Sequence, residues 1–138
     1  CWLRLLLAVA ALEEDAALPY GLLIGKRCYR IAAPPPAVAR QLLSDLIELR
    51  NHGLQQVLPL PLRTAAAHAD LLNWKSGPPI DRARQAYLDE DANWHYFFPR
   101  FNDLLDAWPG RFEELSARVV GPINDRLERW RPSGDDLA

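Results

Sequence analysis

A run of alternating leucine and proline, Leu58-Pro59-Leu60-Pro61-Leu62, constrains the fold of this chain more than any other feature. Each proline lacks a backbone N–H, so the run cannot be a fully hydrogen-bonded central strand. We expect it to be an edge strand or only partly paired. A helix should end before it at Gly53, because glycine is favoured just past helix ends. Another should begin after it at Thr64, whose hydroxyl can cap a helix predicted to reach about Trp74.

Two helices are predicted upstream of this run. Residues 2–14 form a helix that is apolar nearly all round, which implies burial on several sides. A second helix extends from about Pro36 to His52 and carries apolar residues at the spacing of one helical face. This stripe comprises Val38, Leu42, Leu46 and Leu49, with Ala39, Leu43 and Ile47 alongside. The stripe is expected to face the core.

Between these helices, Tyr20–Gly25 and Cys28–Ala32 predict two short strands joined by a tight turn at Gly25-Lys26-Arg27. The second half is predicted to be helical. A short helix is predicted over Ile80–Asp89, and a second follows the aromatic segment 94–101 and ends near Ala107. A long last helix is predicted from about Pro109. It carries Leu127 and Trp130 and should be kinked at Gly121-Pro122. The predicted fold is therefore an α-rich α/β class, a small sheet with a hairpin and an edge strand, covered by helices.

Composition narrows the class of protein. The net charge is −2, which argues against bulk electrostatic binding of nucleic acid, although fourteen of the sixteen basic residues are arginine. Two cysteines, Cys1 and Cys28, do not form a disulfide framework, so a cytoplasmic location is expected. The apolar start lacks a preceding basic region and is followed by acidic residues, unlike a signal peptide. Because the chain contains no methionine, we expect it to be a piece of a longer protein.

The block from the Pro36–His52 helix through Gly53-Leu54 to Pro-Leu-Pro-Leu-Arg-Thr-Ala resembles the C-terminal domain of the exodeoxyribonuclease V gamma subunit (RecC) family. The resemblance implies a subunit of a helicase–nuclease complex for repair of double-strand breaks. Its expected partners are the RecB and RecD types of subunit and double-stranded DNA ends, with no membrane. No cofactor is expected in this fragment; ATP and Mg²⁺ would be used by the partner subunits.

The resemblance also implies an inactivated PD-(D/E)XK nuclease. A partial, N-terminally truncated restriction-endonuclease-like core would occupy residues 1–75, with a helical extension over 76–138 packed on it as a single folded unit. An active member requires two strand carboxylates for Mg²⁺ and a lysine two residues after the second. Here Ile24 and Asn73 precede the two lysines at that spacing, and the predicted strands contain no carboxylate. We therefore predict no catalytic and no metal-binding residues.

Two groups remain as candidate sites. The compact basic group at the hairpin is the candidate DNA contact, and the aromatic segment is a candidate partner contact, although such segments also form cores or stack bases. The first group is Lys26, Arg27 and Arg30, and the second is Trp94, Tyr96 and Phe97. Two alternatives stay open: an active Mg²⁺-dependent nuclease domain, and a helical protein-interaction module unrelated to DNA repair.

Overall fold

The computed structural model describes residues 1–25, 27–71, 77–107 and 111–131. These residues form two compact units: residues 1–50 with 126–131, and the described part of Asn51–Asp125. The elements in chain order are α1 Trp2–Ala10, β1 Tyr20–Leu23, β2 Cys28–Ala32, α2 Pro36–Gly53, α3 Leu62–His68, α4 Pro79–Tyr87, α5 Ala92–Phe97, α6 Phe101–Asp106, α7 Arg111–Asn124 and β3 Leu127–Trp130. The domain boundary predicted at residue 75 lies outside the described residues and stays a prediction.

The sheet of the first unit is antiparallel with the order β1-β2-β3, so β2 is central. Ile31 pairs with Gly21 on one side and Leu127 on the other, and side chains alternate between the two faces. Glycine suits position 21, because a Cβ there would lie 3.3 Å from the Cys1 Sγ atom. The predicted hairpin is confirmed. The third strand of the sheet, however, comes from the end of the chain.

Helices α1 and α2 form the core of the first unit with one face of the sheet. Leu6, Val9 and Ala39 are fully buried, and Ile31 of β2 joins their cluster. Leu3 and Leu7 of α1 are about half exposed. The expectation that α1 is buried on several sides is therefore wrong, since only one of its faces contributes to the described core.

The apolar stripe of α2 is confirmed in part. Leu49 is buried, and Leu42, Leu43 and Leu46 pack against the core cluster. By contrast, Val38 is 38% exposed and Ile47 is 58% exposed. The buried face lies on the predicted side of the helix but is narrower than the predicted stripe. Val38 and Ile47, the two β-branched residues, are nine positions apart and therefore lie at its two opposite edges.

The leucine–proline run belongs to the second unit and is not a strand. Pro59 and Pro61 are fully buried, and the N–H of Leu60 bonds locally to the Leu58 carbonyl 2.8 Å away. The predicted edge strand at this position is therefore wrong. The outer position beside β2 is taken by β3, where a helix was predicted. The i, i+3 spacing of Leu127 and Trp130 suits a helix, but pairing with β2 decides the structure.

The start of α3 is held by the loop after α4. Thr64 lies inside the helix rather than at its N-cap, which is Pro61. Its buried N–H and hydroxyl both donate to Glu90 Oε1, at 2.7 and 2.8 Å, and Arg63 forms an ion pair with Asp89 at 3.2 Å. We call these two pairs the clasp. The prediction that Thr64 caps the helix is wrong, and the predicted helix end at Trp74 lies outside the described residues.

The other end of α3 is held by α4 and α7. Arg82 donates to the carbonyls of Ala67 and His68, at 3.1 and 3.2 Å. His68 Nδ1 lies 3.1 Å from the Ser116 hydroxyl, which donates to the Ala65 carbonyl at 3.0 Å. Burial lowers the pKa of His68 below its ordinary value; the Glu113 carboxylate opposes this shift and the Arg82 guanidinium adds to it. His68 is therefore a structural, mainly neutral side chain.

Candidate functional site

The basic group at the hairpin is only partly assembled. Lys26 lies outside the described residues, and Arg27 is exposed at the turn. Arg30 is also exposed, but its Nε atom lies 3.8 Å from a Glu128 carboxylate oxygen of β3. Its guanidinium also sits 4.4 Å from the centre of the Tyr20 ring. Part of the positive charge of Arg30 is therefore already neutralised within the sheet.

The strands do not offer a nuclease metal site. Strands β1 and β2 contain no carboxylate, and Glu128 on β3 faces Arg30. On α2, Gln41 donates to Asp45 at 3.1 Å, a pair on the helix surface. Within the described ranges, no cluster of three or more histidine, cysteine or acidic side chains is placed to hold a metal ion. Mg²⁺ prefers several oxygen ligands around one point, and these residues do not fit it.

Helix α5 carries the three predicted partner-contact residues, and its inner face is fixed to the core. Asp91 caps the helix by accepting from the Asn93 backbone and side-chain nitrogens, at 2.9 and 2.6 Å. The Tyr87 hydroxyl donates to the Trp94 carbonyl at 3.3 Å and to the Phe98 carbonyl. The Trp94 and Phe98 rings stack with centroids 6.5 Å apart. These contacts fix which side chains of α5 face outward.

The outward aromatic residues are Tyr96, 81% exposed, and Phe97, 53% exposed, whose rings meet edge to face at 5.3 Å. Beside them is an open pocket of about 330 Å³. Its lining residues are Val57, Asp91, Asn93, Trp94 and Phe97. We call it the α5 pocket. The structure thus places two of the three predicted contact residues in one concave site and the third next to it in the chain.

Sequence reasoning missed the other walls of this pocket. An acidic residue before the first turn is a known helix-start signal, so Asp91 could have been recognised as an N-cap. Nothing in the sequence marks Val57, which follows the predicted end of α2. It reaches the pocket because the clasp joins segments twenty-six residues apart.

The segment that leads into α5 is acidic. Asp89, Glu90 and Asp91 are consecutive, and Arg63 is the basic partner of the first of them. Burial raises the pKa of the neighbouring Tyr87, and the Glu90 and Asp103 carboxylates add to that rise. The segment next to the pocket therefore carries an excess of negative charge.

The sequence model of the RecC C-terminal domain matches residues 1–72, which is more than half of the chain. The chain belongs to the RecC C-terminal domain family. The match confirms the resemblance drawn from the leucine–proline block, and it covers both helices and the hairpin of the first unit. Comparison with curated proteins and comparison with solved structures each gave no match.

The α5 pocket is formed largely by residues beyond the part of the chain that matches the RecC C-terminal domain family. Val57 comes from the matched part, whereas residues 91–97 do not. Among the described residues, no helix combines the length and the apolar character needed to cross a membrane.

Proposed function

We propose that this chain is a non-catalytic structural and DNA-handling domain of the RecC subunit of exodeoxyribonuclease V. In this role it acts in the cytoplasm on double-stranded DNA ends, in a complex with RecB and RecD types of subunit that repairs double-strand breaks. The family match over residues 1–72 carries this proposal, because it includes the leucine–proline block and the arginine–threonine pair of the clasp.

The non-catalytic part of the proposal rests on the chemistry of the strands. The order α1, β1, β2, α2 is consistent with part of a restriction-endonuclease-like core. Metal-assisted phosphodiester cleavage needs carboxylates that converge on the metal, and β1 and β2 provide none. Cleavage and ATP hydrolysis are therefore assigned to the partner subunits, and no step is assigned to a metal bound by this chain.

The DNA-handling part rests on the hairpin. Arg27 is exposed at the turn next to Lys26 in the sequence, whereas Arg30 is engaged with Glu128 and Tyr20. A small cationic tip can contact a few phosphates, which positions a duplex without reading its sequence. We therefore assign phosphate contact mainly to the turn and only secondarily to Arg30.

The purified chain tests the absence of catalysis. Incubated with an end-labelled linear duplex and Mg²⁺ or Mn²⁺, it should leave the duplex intact. The variants Glu128→Gln and Asp45→Ala serve as matched controls, because they remove the carboxylates nearest to nuclease-like positions. Metal-dependent cleavage that persists through purification and disappears in either variant would show that the domain is an active nuclease.

A further inference from the structure

We propose that the α5 pocket docks a segment of a partner protein that presents a bulky apolar side chain next to a lysine or arginine. The proposal rests on the proposed function only in expecting the partner among the subunits of the complex. The pocket chemistry itself is independent of that assignment.

The bulky apolar side chain of the partner segment is inferred from the exposed apolar residues around the pocket. Phe97 and Val57 are 53% and 41% exposed, although both line one concavity with the partly buried Trp94 ring. Tyr96, next to Phe97, is 81% exposed. Aromatic side chains that surround a pocket provide large contact area at low entropic cost, which is typical of the central anchors of protein interfaces. A pocket of about 330 Å³ accommodates an anchor of the size of leucine or phenylalanine.

The lysine or arginine of the partner segment is inferred from the negative charge next to the pocket. Asp91 lines the pocket and follows two further acidic residues, Asp89 and Glu90. Of these three carboxylates, that of Asp89 forms an ion pair with Arg63. This excess of negative charge attracts a cationic side chain and repels phosphates. Exposed aromatic rings such as those of Tyr96 and Phe97 also attract a nearby cation. A peptide with a basic residue beside its anchor therefore suits the pocket, and a nucleic acid does not.

The pocket is preorganised in the isolated chain. The clasp fixes the start of α3 to residues 89 and 90, and the buried prolines 59 and 61 stiffen the segment that follows Val57. Asp91 fixes the start of α5, and the Tyr87 hydroxyl fixes its end by donating to the Phe98 carbonyl. A preorganised site loses little conformational entropy on binding, so most of the binding free energy of the anchor side chain is retained as affinity.

Two synthetic peptides test the proposal with the purified chain. Both have a glycine–serine background and a central leucine, which is flanked by lysines in one and by glutamates in the other. We expect the lysine peptide to bind at least about fivefold more tightly in fluorescence anisotropy, with the difference shrinking at high salt. Phe97→Ala should weaken the lysine peptide about tenfold. Asp91→Asn, which keeps a good N-cap, should remove most of the charge preference without loss of helix.

In the assembled complex, Phe97→p-benzoylphenylalanine should cross-link on illumination to one segment of a partner subunit that contains an apolar residue within two positions of a lysine or arginine. The same photoprobe at Val38, an exposed apolar residue that does not line the pocket, should not label that segment. Equal binding of the two peptides, no effect of Phe97→Ala, or cross-linking to DNA would overturn the proposal. Failure of the complex to assemble would instead count against the proposed function, while the peptide result still decides the pocket.

Discussion

The clasp gives the most quantitative prediction. Replacing Glu90 by alanine removes the acceptor of two donors on the fully buried Thr64, its N–H at 2.7 Å and its hydroxyl at 2.8 Å. A buried donor left without an acceptor costs about 1–3 kcal/mol, and the half-buried carboxylate allows some access of water. We therefore expect the free energy of opening of α3 to fall by about 2–4 kcal/mol.

Hydrogen exchange of the α3 amides measures this change directly, because it reports local opening rather than the average over both units. Since about 1.4 kcal/mol is a tenfold change, exchange should accelerate by about 30- to 700-fold in Glu90→Ala. Glu90→Gln keeps one acceptor oxygen and should cost only about 1 kcal/mol.

A double-mutant cycle isolates the pair. Thr64→Val keeps the volume and removes only the hydroxyl bond, so its effect combined with Glu90→Gln should be non-additive by at least about 0.5 kcal/mol. Asp89→Asn, which removes the exposed ion pair with Arg63, is the matched control and should cost less than about 1 kcal/mol. Unchanged α3 exchange in Glu90→Ala, or equal acceleration in β2 of the other unit, would refute the assigned role of the clasp.

Three further predictions follow. Because the fold lowers the pKa of His68 below 6.5, its neutral form is favoured, so protection of α3 should be complete above pH 6.5 and fall as pH decreases below it; His68→Gln should flatten this profile. Leu6→Ala, at a fully buried position, should reduce the stability of the first unit by about 2–5 kcal/mol in urea unfolding, whereas Val38→Ala should cost less than about 1 kcal/mol. In the assembled complex, Lys26→Ala with Arg27→Ala should lower the salt slope of duplex-end binding by about 2 without changing sequence preference; an unchanged slope would exclude the hairpin as a phosphate contact.

Local patterns predicted the first unit well. Alternation and a glycine-containing turn gave the hairpin, and helical spacing gave α2 from Pro36 to within one residue of its end. The same spacing misassigned β3, because Leu127 and Trp130 suit a helix as well as a strand and only pairing with β2 distinguishes the two. The four residues of β3 do not by themselves indicate which distant segment they pair with.

The leucine–proline run shows a different limit. Its prolines excluded a central strand, as predicted, but their full burial could not be predicted from the residues around them. The segment that follows them is held by the clasp, in which Thr64 contacts Glu90, twenty-six residues along the chain. The α5 pocket arises from the same long-range joining, so its aromatic residues were predictable as a group while Val57 was not.

By the proposed function, this domain contributes no catalytic carboxylate to the complex. The most direct measurement is the initial rate of degradation of a linear duplex by the assembled complex, with ATP and Mg²⁺, in which this chain carries Glu128→Gln and Asp45→Asn together. Its assembly is verified by native mass spectrometry. We expect a rate within about twofold of that of the unmodified complex. A fall of tenfold or more in a fully assembled complex would contradict it.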